Sequence, residues 1–224
     1  MKIISSFLFS LFVIGGIQGG DLPPTTFLEI VLKPLNGGGS ALVCCATVNA
    51  GRVTKLSLWS PQENCHQQLK VCAAWRGLGS IHLHLNNKVN FGGFLDTIQD
   101  FEDLREVIIT DSDDAPIIPW QKLKGTTNLK SLFLVPRAHA QLWLTDLAAA
   151  DRLGALDTLA VHYSSDNAGV LEKFDYNLIK WMKNLNFIGT GEESLNALKL
   201  LVSRIKQTTS GISVKKGPDA GNLE

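Results

Sequence analysis

The chain has 224 residues, 45% of them hydrophobic and 19% charged, which excludes a disordered polymer and fits a packed core. Lysine plus arginine and aspartate plus glutamate both number 21, so no net charge draws the chain to nucleic acid or anionic lipid. The length allows one large domain, or a small one and a medium one.

Lys2 is followed by IISSFLFSLFVI over residues 3–14 and then by GGIQGG. A positive start, a short apolar run and small residues near Gly19 and Gly20 predict a secretory signal peptide over residues 1–20. The run is shorter than the roughly 20 residues of a membrane span. A soluble, secreted mature chain beginning near Gly20 or Asp21 is therefore expected.

Residues 21–52 begin with Leu-Pro, continue through FLEIVLKPL and reach ALVCCATV. Their spacing predicts a short helical N-terminal cap for the repeats that follow. The segment also resembles the F-box, a small helical module that opens with Leu-Pro and often reads "LVC" in its second helix. F-box proteins commonly carry leucine-rich repeats behind that module and serve as ubiquitin-ligase substrate adaptors. That resemblance implies an adaptor in the cytoplasm or nucleus, the alternative to a secreted protein. All four cysteines, Cys44, Cys45, Cys65 and Cys72, lie in this segment or just after it. An even number behind a signal peptide predicts a disulfide-stapled cap. Neighbouring Cys44 and Cys45 would be strained as a pair, so each is expected to reach Cys65 or Cys72. Four buried free thiols are the other reading.

From residue 53 onward one template recurs: apolar-x-x-apolar-x-apolar. It reads Val53/Leu56/Leu58, Leu78/Ile81/Leu83, Leu104/Val107/Ile109, Leu129/Leu132/Leu134, Leu156/Leu159/Val161 and Met182/Leu185/Phe187, with a weaker Thr209/Ile212/Val214. The steps between them are 25, 26, 25, 27, 26 and 27 residues. A fixed period in the twenties marks stacked repeats, each unable to bury its inner face alone. The template resembles the leucine-rich repeat family over about residues 50–215. That resemblance implies an α/β solenoid, with a parallel β-sheet on the concave side and helices on the convex side. About six to seven repeats would occupy residues 53–214, with a disordered tail over 215–224. Parallel strands are expected near 56–58, 81–84, 107–110, 132–135, 159–162 and 185–188. Helical returns are expected over residues 91–104, 170–182 and 192–205, and only a turn or 3₁₀ piece over 117–128. Many such repeats place an asparagine three residues past the second inner leucine. Asn86 alone fits, while Pro61, Ser112, Arg137, Ser164 and Thr190 stand elsewhere, as in longer, helix-rich repeats.

Chemistry is sparse. His82 and His84 share one strand face with no third metal ligand in view. Asp111-Ser-Asp-Asp114 lacks the glycine and terminal glutamate of a calcium loop and reads as a solvated turn. No nucleophile motif or phosphate loop is present, so no catalytic residue, metal, cofactor or nucleic-acid partner is expected. What remains is a surface. The outward strand positions hold Trp59, His82, His84, Ile108, Phe133, Val135, His162 and Ile188, unusually apolar for plain solvent contact. These residues are the expected binding site for a protein partner. Three histidines there would make binding acid-sensitive near pH 6.5 if unperturbed.

Overall fold

The computed structural model describes residues 25–32, 42–59, 65–85, 89–111, 117–137, 139–150, 153–205 and 211–216. Nine strands form one sheet in chain order: β1 (Thr25–Leu32), β2 (Leu42–Asn49), β3 (Arg52–Leu58), β4 (Ser80–His84), β5 (Glu106–Thr110), β6 (Ser131–Val135), β7 (Thr158–Tyr163), β8 (Asn184–Gly189) and β9 (Ile212–Lys216). From β3 to β9 every pairing is parallel. The six strands expected from the repeat template are therefore formed and stack in chain order. The signal-peptide residues 1–20 and residues 217–224 of the expected tail lie outside the described residues.

The returns alternate with these strands. Helices run over α1 (Cys65–Leu69), α2 (Phe91–Ile98), α3 (Ala140–Ala149), α4 (Ala168–Lys173) and α5 (Gly191–Ile205), with 3₁₀ turns at Lys70–Ala74, Trp120–Gly125 and Tyr176–Ile179. A parallel sheet in sequential order, crossed over with one hand, carries its returns on one face. The strand side chains on that face form two continuous ladders. One runs Leu56, Ile81, Val107, Leu132, Leu159, Leu185, Ile212 and the other Leu58, Leu83, Ile109, Leu134, Val161, Phe187, Val214. All are buried except half-buried Val214. They join Phe94, Trp120, Trp143, Leu171 and Leu198 from the returns in one core. Each leucine so buried contributes about 1.5–3 kcal/mol relative to exposure.

The backbone repeats the same device at each step. Gly79 O accepts from the amides of Arg105 and Glu106, Arg105 O from Lys130 and Ser131, Lys130 O from Asp157 and Thr158, and Asp157 O from Lys183 and Asn184. Side chains 26 residues apart add ties between neighbours: Arg76 to Glu102, Lys122 to Asp96, and the Gly77 amide to Asp103 at 2.8 Å. The two ion pairs are exposed and contribute little. Register comes from the ladders.

The N-terminal expectation is corrected. Residues 25–32 and 42–49 are strands, not helices, and β1, β2 and β3 pair antiparallel. Side chains on β2 alternate: Cys44, Ala46 and Val48 are buried while Cys45 and Asn49 are exposed. That period of two suits a strand and no helix. Asn49 pairs with Arg52 across Ala50 (φ 48°) and Gly51 (φ 75°). Two successive positive φ angles make a tight turn whose twist matches an antiparallel hairpin. The repeat sheet is thus lidded by added strands. At the other end, Lys215 and Lys216 belong to β9 rather than to the expected tail.

The stapled cap is also corrected. No disulfide joins Cys44, Cys45, Cys65 or Cys72, and the alternation on β2 forbids two bridges. Cys44, Cys65 and Cys72 lie buried in the core layer, whereas exposed Cys45 points to the opposite face beside Ser57. Burial, and to a lesser extent Cys45, pushes the Cys44 thiol up to about 12. Burial pushes Cys65 up to about 11 and raises Cys72 as well, which also feels Cys44. Three of the four thiols are thereby held as unreactive small hydrophobes.

Candidate binding face

The second face of the sheet carries the alternate strand residues in three rows. Strand register sets the first as Lys55, Ser80, Glu106, Ser131, Thr158 and Asn184. It is polar and partly satisfies itself: Ser80 donates to Glu106 at 2.9 Å and Asn184 to Thr158 at 3.2 Å. The middle row is Ser57, His82, Ile108, Phe133, Ala160, Asn186 and Ser213. In the third, His84 pairs with Thr110 and Thr110 with Val135, while His162 pairs with Ile188. Val135 follows the Leu134–Val161 pair, which puts it beside His162. Ile188 pairs in turn with Lys215, so the first row is polar throughout while the other two mix apolar and polar residues.

Trp59 follows the Leu58–Leu83 pair, so it arrives next to His84. Its indole stacks on the His84 imidazole with centroids 3.6 Å apart, and His84 lies 4.1 Å from the His82 ring. Trp59 remains 43% exposed. A stacked ring held by its neighbour on a strand end is an aromatic platform with little rotamer freedom left to lose. His82 Nε2 lies 2.8 Å from Thr110 Oγ1. By contrast, His84 Nε2 and His162 Nε2 have no hydrogen-bond partner among the described residues.

Of the expected binding residues, Trp59, His82, His84, Phe133, Val135, His162 and Ile188 share this face and are exposed or half-buried. Ile108 does not offer itself: packed in register between His82 and Phe133, it is only 8% exposed. The acid-sensitivity expectation is corrected as well. Burial, then the neighbouring His84 and Lys55, pull His82 down to about 3. Burial, then Arg137 and Lys55, pull His84 down to about 4, and burial with Arg137 lowers His162. His82 and His84 are neutral at pH 6.5.

Two cations frame the site. Neither Lys55 nor Arg137 has an ion-pair partner among the described residues. Arg137 follows β6 by two residues, is exposed, and is felt by both His84 and His162. Its position is fixed from below by Asp111, which is buried rather than solvated. The Asp111 carboxylate accepts from the amides of Arg137 (2.9 Å) and His139 (2.8 Å) and lies 2.8 Å from His139 Nδ1. Asn167, fully buried, does the matching task one repeat later. Its Oδ1 accepts from the Ser164 amide at 3.0 Å, and its Nδ2 donates to Pro136 O (2.8 Å) and His162 O (2.9 Å). Asn167 thus supplies a side-chain amide that satisfies the backbone of two neighbouring turns.

No protein-family model, curated protein or solved structure matches this chain. Among the described residues there is no group of three or more histidine, cysteine, aspartate or glutamate side chains that could hold a metal, and no helix long and apolar enough to cross a membrane.

Proposed function

We propose that this chain is a secreted, non-enzymatic protein of the leucine-rich-repeat type that binds another protein through the open face of its sheet. The observation that carries the reading is the aromatic end of that face. Trp59 stands exposed on the His84 ring, and Phe133, Val135, His162 and Ile188 lie half-buried on later strands of the same face. None of these side chains is needed to fill the core, which the opposite ladders already close. In leucine-rich repeats this is the concave side. Rigid aromatics clustered on such a surface are what interface hot spots are made of. The leader-like pattern over residues 2–20 supports export. With strands over Thr25–Leu32 and Leu42–Asn49, no observation favours the ligase-adaptor reading.

Cys45 provides the test, because it is exposed and lies beside Ser57 on the same face. A photo-crosslinker is placed on Cys45, or, in a Cys45→Ser background, on a Ser203→Cys change in α5. Secreted proteins from the same cells are then offered to each. The reading expects adducts from the Cys45 label that are lost with Trp59→Ala. Adducts only from the α5 label, or ones indifferent to Trp59→Ala, overturn it.

A further inference from the structure

We infer that two copies of the mature chain pair edge to edge through β1, antiparallel about a two-fold axis at Leu28. The inference goes beyond the binding face and rests only on the export part of that reading. Among the described residues β1 is bonded on one side, to β2. Its other edge presents amides and carbonyls that serve as a template for another strand unless something blunts it. The usual blunting devices are short length, lysine, proline and bulges. β1 has none of them: Thr25–Leu32 runs for 8 residues without lysine or proline, and its register with β2 is unbroken. Its threonines, phenylalanine, isoleucine and valine favour a strand. The opposite edge differs, since β9 has 5 residues and ends in Lys215 and Lys216. One unguarded edge per chain means that pairing closes at two copies instead of running on as a fibre.

The occupant is a second copy because the neighbouring chain is ill suited to cover the edge and β1 complements itself. Once the leader-like residues 1–20 are removed, residues 21–24 alone precede β1, and they include Pro23 and Pro24. The connection at 33–41 contains Pro34 and glycines at 37, 38 and 39. Proline lacks the amide that a covering strand must donate, and glycine weakens such a strand. Register follows from like charge. About a two-fold normal to the sheet, residues of the same face meet, so the longest overlaps centre on Leu28 or on Glu29. The second sets Glu29 opposite itself, and directly opposed like charges destabilise. The first sets Leu28 opposite Leu28, Phe27 opposite Glu29, Thr26 opposite Ile30 and Thr25 opposite Val31. Register with β2 places Thr26, Leu28 and Ile30 in line with Val48, Ala46 and Cys44, which are buried. Pairing at Leu28 therefore continues the core-facing row across the two-fold.

The full sequence is expressed in secreting cells and the chain recovered from the medium, where its intact mass reports whether residues 1–20 have gone. Sedimentation equilibrium is expected to give twice the chain mass. Phe27→Glu sets glutamates against each other on both sides of the two-fold and should weaken the dimer by about tenfold or more. Adding Glu29→Lys turns both into opposite-charge pairs and restores it; thermal melts check that each variant stays folded. In a Cys45→Ser background, mild oxidation should link Leu28→Cys chains in pairs, and this arm decides where a charge variant does not fold. A monomeric parent, indifference to Phe27→Glu, no rescue by Glu29→Lys or no Leu28→Cys link overturns the inference and leaves the binding face standing. So does protection of the β1 amides from hydrogen exchange in a monomer, which shows the edge covered from within the chain, or a foreign peptide recovered on it. Absence of processed chain from the medium overturns export and this inference together.

Discussion

Replacing Asn167 should unfasten two neighbouring repeats at once. Its side chain is fully buried and makes three hydrogen bonds, two of them to the carbonyls of Pro136 and His162. Asn167→Ala leaves those two carbonyls and the Ser164 amide without this partner, the Pro136 carbonyl in a buried setting and the other two part-buried. Each unsatisfied buried group costs about 1–3 kcal/mol, and partial relaxation brings the sum to about 3 kcal/mol. Asn167→Asp is the sharper variant. It keeps the acceptor for Ser164 but sets a carboxylate against two carbonyl oxygens, so it should destabilise at least as much as alanine. Exposed Asn177, whose side chain donates to Asp175 two residues away, is the control, with a change to alanine within about 0.5 kcal/mol. Urea unfolding followed by tryptophan fluorescence measures all three. An Asn167→Asp protein as stable as the parent would refute the idea that amide donation holds this turn.

Three further outcomes follow from the same geometry. Leu132→Ala or Leu159→Ala should cost about 2–5 kcal/mol in urea unfolding, since both are buried in one ladder; losses under about 1 kcal/mol would contradict the stacked core. Thiol titration of the unreduced native protein should find Cys45 alone reactive, with Cys44, Cys65 and Cys72 appearing only on denaturation; fewer than four thiols after denaturation without reductant would restore a bridge. His82 and His84 have pKa values below those of the unfolded chain, so the unfolded state binds more protons between about pH 6.5 and 4. Stability should therefore be lost as pH falls through that window, and His84→Gln should flatten the slope. A urea midpoint unchanged from pH 7 to 4.5 would count against it.

The repeat core was legible because burial and register both follow one rule. The first, fourth and sixth positions of the template point inward, so Leu129, Leu132 and Leu134 announce a strand and its neighbours at once. The outer face was legible by the same alternation, which put Trp59, His84 and His162 together without any contact being known. What the alternation could not carry was loop chemistry. Asn167 lies six residues past Val161 rather than three, and Asp111 looked like part of a solvated acidic run. Both serve carbonyls or amides of another repeat, a partnership that spacing within one repeat does not reveal. The N-terminal strands were missed because FLEIVLKPL has spacings that also fit a helix. Its β-branched neighbours, and Asn-Ala-Gly at 49–51 between two apolar runs, were the signals of a hairpin. Helix α3 escaped because LTDLAAA spreads its apolar residues around the cylinder, yet Trp143, Leu144 and Leu147 are buried.

The account stands or falls on the open face being free to bind. The direct measurement pairs a thermal melt with partner affinity for Phe133→Ala and for the Trp59→Ala/Phe133→Ala double variant, once crosslinking from Cys45 has supplied the partner. Phe133 is half-buried on the face opposite the core, so its loss should barely move the melting temperature. Affinity should fall by about 2 kcal/mol or more for a hot-spot residue, roughly thirtyfold. A large loss of stability in Phe133→Ala, or full affinity in the double variant, would contradict the assignment of this face.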